Sequence, residues 1–182
     1  MKKKLVVGII GGLGKMGNWF RSFFENQGFF VLISDKKTPL KNSQLVLNSN
    51  IIFLSLPFEQ IKVVLKEIKP FLTKEHLLVD ISSLKKPLIF HFKKLNCGLL
   101  LCHPLFGPLQ PSLKNQIIIF SVLKKHRFIP FLKKIFKKEK AKVFDLSFSD
   151  HDYQMSLIQA LPHFLNFLLA RILFLERKKF KS

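Results

Sequence analysis

The sequence predicts an α/β protein: a doubly wound, mostly parallel sheet with helices on both faces, followed by one long helix. Three observations carry this reading. Short apolar runs such as LVVGII, IIFLSLP and GLLLCHP alternate with segments of helical period, as strands do when helices bury both their faces. A glycine-rich stretch, Gly12 to Gly17, separates the first of these runs from the first amphipathic segment. From Asp150 onward the period is helical, with apolar residues around much of the girth.

Leu5 to Ile10 reads as a buried strand bounded by glycines. The basic start before it imitates a secretory leader, but glycines interrupt the apolar run and no small-residue cleavage site follows. Lys15 to Asn26 sets Met16, Trp19, Phe20, Phe23 and Phe24 three and four residues apart, which makes an amphipathic helix ended by Gly28. Phe30 to Ser34 is the second strand. A polar stretch rich in Lys, Asn and Ser reads as a loop, and the third strand, IIFLSLP, closes at Pro57. Ile61, Val64, Leu65 and Ile68 stripe the next helix before Pro70. HLLVDIS, GLLLCHP and QIIIFSV are further strands, too short for typical helices. A basic amphipathic helix from Phe128 to Lys138 and the strand KVFDLS end the unit near Ser147, so the first domain is drawn at residues 1–148.

At 48% hydrophobic, 13% aromatic and 23% charged, the chain can bury a core. Its formal net charge of +20 would suit a nucleic acid or an anionic surface. The lysines, however, are scattered as pairs, and they outnumber the arginines that base readout favours. With Phe filling 21 positions, the bias matches AT-rich coding, and the charge reads as a solvated surface with no nucleic-acid partner. Cys97 and Cys102 form no CxxC and frame neither a disulfide scaffold nor a metal site, which suits a reducing cytoplasm. The greasy stretch Leu161 to Leu175 is interrupted by His163, Asn166 and Arg171 and falls short of the ~20 apolar residues of a spanning helix, so no membrane partner is expected.

Gly12, Gly14 and Gly17 form G-x-G-x-x-G between a strand and a helix, the setting of the Rossmann dinucleotide fingerprint. Gly12 is expected to make the tight turn, Gly14 to admit a pyrophosphate and Gly17 to let helix and strand pack closely, with Leu13, Lys15 and Met16 completing the loop. Asp35 ends the second strand, about the ~20 residues downstream at which a carboxylate receives a ribose hydroxyl. That carboxylate would repel the extra phosphate of NADP while Lys36 and Lys37 would attract it; the expected cofactor is NAD. Ser55, Leu56 and Pro57 end the third strand at the ligand edge of such a sheet, and Ser83 and Lys85 follow the fourth. His103 ends the fifth, before a Pro and Gly turn, and is well placed as a proton acceptor.

GGLGKMG, SLP, VDISSLK, LCHPLFGP and HDYQMSLIQALPHF together resemble the prephenate dehydrogenase family of tyrosine biosynthesis. The string HPLFGP, followed by HD and then LPHF, is specific, and it separates the chain from β-hydroxyacid dehydrogenases with similar glycine loops. The resemblance implies an oxidoreductase of aromatic amino acid biosynthesis that converts prephenate to 4-hydroxyphenylpyruvate with NAD. By motif, His103 would take the ring hydroxyl's proton and Ser83 would orient it. Lys85 and His163 would face the substrate; His151 and Asp152 read equally well as a helix cap and its neighbour. The family's helical domain, which dimerises, would begin at residues 149–182, and its remainder has no counterpart in the sequence. The expectation is a C-terminally truncated member whose homodimer and turnover are in question, the alternative being a non-catalytic remnant that keeps NAD binding.

Overall fold

In the computed structural model, residues 5–177 are described; Met1 to Lys4, and the end of the expected long helix at Lys178 and Lys179, lie outside them. The described residues divide between Phe148 and Ser149 into two compact units.

The first unit runs β1 (Val6–Ile10), α1 (Lys15–Asn26), β2 (Phe30–Ser34), α2 (Asn42–Leu47), β3 (Ile51–Leu54), α3 (Phe58–Ile68), β4 (Leu77–Asp80), α4 (Ile89–Lys93), β5 (Gly98–Pro104), β6 (Ile117–Lys124), α5 (Phe128–Lys138) and β7 (Lys142–Asp145). Its seven strands lie in the order β2-β1-β3-β4-β5-β6-β7. β1 pairs in parallel with β2 on one side (Val6 opposite Phe30) and with β3 on the other (Ile10 opposite Leu54). The chain therefore reverses its direction of travel at β1, and a crevice opens between the carboxyl ends of β1 and β3.

Two apolar layers sandwich the sheet. Phe20 and Phe24 of α1 and Leu132 and Phe136 of α5 meet Phe53 and Phe120 on one face, with Phe20 and Phe53 rings 5.2 Å apart. Leu45 and Val46 of α2, Ile61, Leu65 and Ile68 of α3 and Phe92 of α4 cover the other.

Three details add to the sequence reading. The polar stretch before β3 contains α2, anchored where the Gln44 side-chain oxygen accepts the Lys41 N–H at 3.1 Å. Residues after β4 form α4. β6 runs antiparallel to β5, with His103 opposite Ile119; residues 105–116 contain no helix to carry a parallel crossover, so the chain returns as a long hairpin.

The second unit holds α6 (Phe148–Met155) from its second residue onward, a π-helical turn over Ser156–Ala160, and α7 (Leu161–Glu176). His151 and Asp152 lie inside α6 rather than at its cap, with His151 Nδ1 2.8 Å from Asp152 Oδ1. Among the described residues this run, Phe148–Glu176, is one helix of 29 residues, long and apolar enough by length and composition to cross a membrane. It extends well beyond the apolar stretch Leu161 to Leu175, because α6 and the π-helical turn continue it toward the amino end.

Candidate functional site

The glycine loop is set by backbone contacts with the ends of β2 and β3. Gly11, not Gly12, makes the tight turn: its φ is +82°, and a Cβ there would lie 2.1 Å from the Ser55 carbonyl oxygen. A left-handed conformation packed against backbone admits only glycine. Gly12 is required for another reason, since its Cβ would meet the Ile33 side chain at 2.5 Å. At Gly17 a Cβ would sit 2.1 Å from the Gly11 oxygen, so the first turn of α1 lies against the backbone of the glycine turn. A Cβ on Gly14 would meet only the Gly11 oxygen at 3.2 Å and the Ser55 oxygen at 4.0 Å; that side of the loop is an open cradle at the amino end of α1.

Beside this cradle, a cleft of about 670 Å³ occupies the crevice between β1 and β3. Gly14, Asp35, Ser55, Leu56 and Pro57, five of the expected cofactor residues, come together along it. Leu40, Val63 and Val64 give it apolar wall, and Lys36 and Lys41 stand at its β2 side. Asp35 is held on three sides. Its N–H donates to Thr38 Oγ1 at 2.7 Å, Oδ1 accepts the Lys36 N–H at 2.7 Å, and Oδ2 accepts the Leu13 N–H at 3.2 Å. The carboxylate is thus fixed at the mouth of the glycine loop, and its remaining lone pairs are available to a hydroxyl. An anion cradle at a helix amino end, an apolar slot and a rim carboxylate fit a dinucleotide.

Gly11 also lines the cleft, whereas Gly12, Leu13, Lys15, Met16 and Gly17 do not. Met16 packs against the core, and Lys15 borders a separate groove of about 370 Å³ beside Trp19 and Pro111. In that groove Trp19 Nε1 donates to the Gln110 carbonyl at 2.7 Å and its ring lies 4.9 Å from Phe106, which ties the loop after His103 to α1.

Ser83 follows β4 and His103 is the next-to-last residue of β5, at the same carboxyl edge; Ser83 is exposed and His103 is buried at 3% exposure. Lys85 departs from the expectation of a substrate contact. It is fully buried, and Nζ donates to Asp80 Oδ2 (3.0 Å), the Asp80 carbonyl (3.0 Å) and the Cys102 carbonyl (2.9 Å), so its ammonium protons are committed inside the protein. His163 is exposed on α7, in the second unit. Cys97 and Cys102 are both buried thiols whose pKa is pushed up to about 12 by burial, which keeps them from thiolate chemistry.

Sequence reasoning missed Gly11, Thr38 and Asn42, which bridges the Ser34 hydroxyl and the Glu67 carboxylate at 2.8 Å each. The doubled glycine at Gly11 and Gly12, and a Thr three residues after Asp35, were the available signals.

The family model of the prephenate dehydrogenase nucleotide-binding domain matches residues 30–145, from β2 through β7. The chain belongs to this family. A probable arogenate/prephenate dehydrogenase of Methanocaldococcus jannaschii is 30% identical over 181 residues, covering 88% of this chain and 40% of its own length. A T-protein of Haemophilus influenzae is 27% identical, covering 87% of this chain and 42% of its own. The chain thus spans about two fifths of the length of these curated relatives. The crystal structure of prephenate dehydrogenase from Aquifex aeolicus, in complex with hydroxyphenyl propionate and NAD+, has the same fold with a TM-score of 0.77 at 19% identity, over 94% of this chain and 70% of that one.

Proposed function

We propose that this chain is the NAD-binding part of a prephenate dehydrogenase, in which NAD accepts the ring hydride as prephenate loses carbon dioxide and becomes 4-hydroxyphenylpyruvate. The observation that carries the reading is the convergence of Gly14, Asp35 and Ser55 to Pro57 on one cleft at the β1/β3 crevice, in a chain of this family. Gly14 exposes backbone to the pyrophosphate, Asp35 holds the adenosine ribose, and the end of β3 lines the dinucleotide. Bound NAD supplies the hydride acceptor; the chain's own residues position it and move a proton. His103 takes the ring hydroxyl's proton on an imidazole nitrogen as the hydride leaves, Ser83 orients that hydroxyl, and the phenolate oxygen formed on loss of carbon dioxide takes the proton back. Aromatisation drives loss of the carboxylate, so placement is the protein's main contribution.

Titration with NAD and NADP, followed through Trp19, the single tryptophan, tests cofactor binding. NAD should bind more tightly, and Asp35→Ala should erase the difference. Tighter NADP binding would show that Lys36 and Lys41 outweigh Asp35. In NADH formation with prephenate, His103→Ala should lower turnover ~100-fold or more at unchanged NAD affinity; a near-parental rate removes the base from His103. The burial of Lys85 supports a second reading, NAD binding without turnover, because the first unit's candidate anchor for a substrate carboxylate is committed elsewhere. NAD binding with no NADH formed at saturating prephenate distinguishes it.

A further inference from the structure

A lysine taken out of water destabilises a fold unless its ammonium is fully met, and an apolar pair of the same shape often serves stability as well. Lys85 is fully buried against an Asp80 side chain that is 1% exposed, at the carboxyl edge of the sheet. Asp80 in turn accepts the Ser82 hydroxyl at 2.7 Å and the Ser82 N–H at 3.2 Å. The ion pair therefore closes the short loop, Asp80 to Lys85, that carries Ser83.

The same ammonium reaches the neighbouring strand. The parallel ladder between β4 and β5 ends with Asp80 opposite Leu101. β5 continues through Cys102, His103 and Pro104, paired there with Phe120, Ile119 and Ile118 of β6 on its other side. On the β4 side, the Lys85 ammonium meets the Cys102 carbonyl at 2.9 Å, and that carbonyl belongs to the peptide whose nitrogen is His103's. Side chains alternate along a strand, so His103 shares a face with Leu101, as Asp80 does with Leu78; Leu101 and Leu78 pack in the same layer.

We propose that Lys85 is a positioning residue for His103: one buried ammonium locks the Ser83 loop and the strand end before His103 together, beyond the last rung of the β4–β5 ladder. The proposal rests on the reading of His103 as the proton acceptor. Placement to a fraction of an ångström is what such a clamp supplies, and a misplacement of about 1 Å is enough to cost ~100-fold in rate.

The test uses the full chain and two variants. Lys85→Met leaves Asp80 buried without its partner and is expected to lower the melting temperature. Lys85→Met/Asp80→Leu removes both charges and is expected to fold and to bind NAD as the parent does. The deciding readout is the His103 ring signal in histidine-selective NMR, assigned with His103→Gln and followed against pH. In the folded double variant that signal should broaden and its titration midpoint should move. Where turnover is measurable, kcat should fall with little change in KM. A His103 titration superimposable on the parent's overturns the proposal, as does failure of both variants to fold, which would make the pair a stability element. Failure of the functional reading looks different: His103→Gln would leave NADH formation unchanged while the NMR comparison still reported on the clamp.

Discussion

Gly14 and Gly17 belong to one motif, yet the structure gives them separable duties. A methyl on Gly14 meets protein at 3.2 Å and points into the open cradle, whereas a methyl on Gly17 lands 2.1 Å from the Gly11 oxygen. Gly14 also has φ −66° and ψ 159°, which any L-residue adopts. Gly14→Ala should therefore cost far less stability than Gly17→Ala and lose NAD affinity ~10-fold or more, because the pyrophosphate needs that space. Gly17→Ala should lose affinity and also ~1–3 kcal/mol of stability, as overpacking against fixed backbone does. Parallel thermal melts and NAD titrations check both, and an Ala at Gly14 that binds NAD normally would remove the cradle from the site. The glycine spacing made the site legible in the sequence, but it did not say which glycine turns. Steric demand is a property of the neighbours, and Ser55 and Ile33 reach the loop only once the strands have paired. Lys85 was illegible for a related reason: a lysine in sequence is a surface residue by default, and only the ends of β4 and β5 together supply the oxygens that bury it.

At the scale of elements, strands with two buried faces and helices of three turns were readable, since each leaves many periodic apolar positions. The six residues of α2 and five of α4 fill less than two turns and leave no such period. The direction of β6 carries no periodic signature either; it is decided by what connects it to β5. The starts of β4 and α5 provide a pH-dependent prediction. His76 Nδ1 accepts the Thr73 N–H at 3.0 Å before β4, and His126 Nδ1 accepts the Phe128 N–H at 3.3 Å at the start of α5. Both acceptors require the unprotonated ring nitrogen, and burial holds both pKa values below the ordinary 6.5. The folded state then binds fewer protons than the unfolded chain, so stability rises with pH through the interval from the lowered values up to 6.5 and levels off above it. Denaturant midpoints should fall as pH drops below 6.5. The His76→Gln/His126→Gln variant should flatten that dependence, and an equally steep profile in the variant would assign it to other groups.

For the whole molecule, the balance is between charge and apolar surface. The net charge of +20 keeps copies apart at low ionic strength. The second unit opposes this, because Leu165, Leu169 and Ile172 are each more than half exposed on α7, and Phe164, Phe167 and Leu173 extend the exposed surface around the helix. Apolar area on this scale associates in water. Screening removes the repulsion and leaves the apolar attraction intact, since the Debye length shrinks from roughly 10 Å at 0.1 M salt to about 3 Å at 1 M. Association should therefore strengthen as salt is raised, the opposite of a complex held by lysines. Sedimentation velocity across that salt range should show the chain shifting to larger species, with Leu169→Lys/Ile172→Lys remaining monomeric and still binding NAD, since neither residue belongs to the first unit. A parent chain that stays monomeric at high salt, or a variant that associates equally, would show that this helix does not drive association.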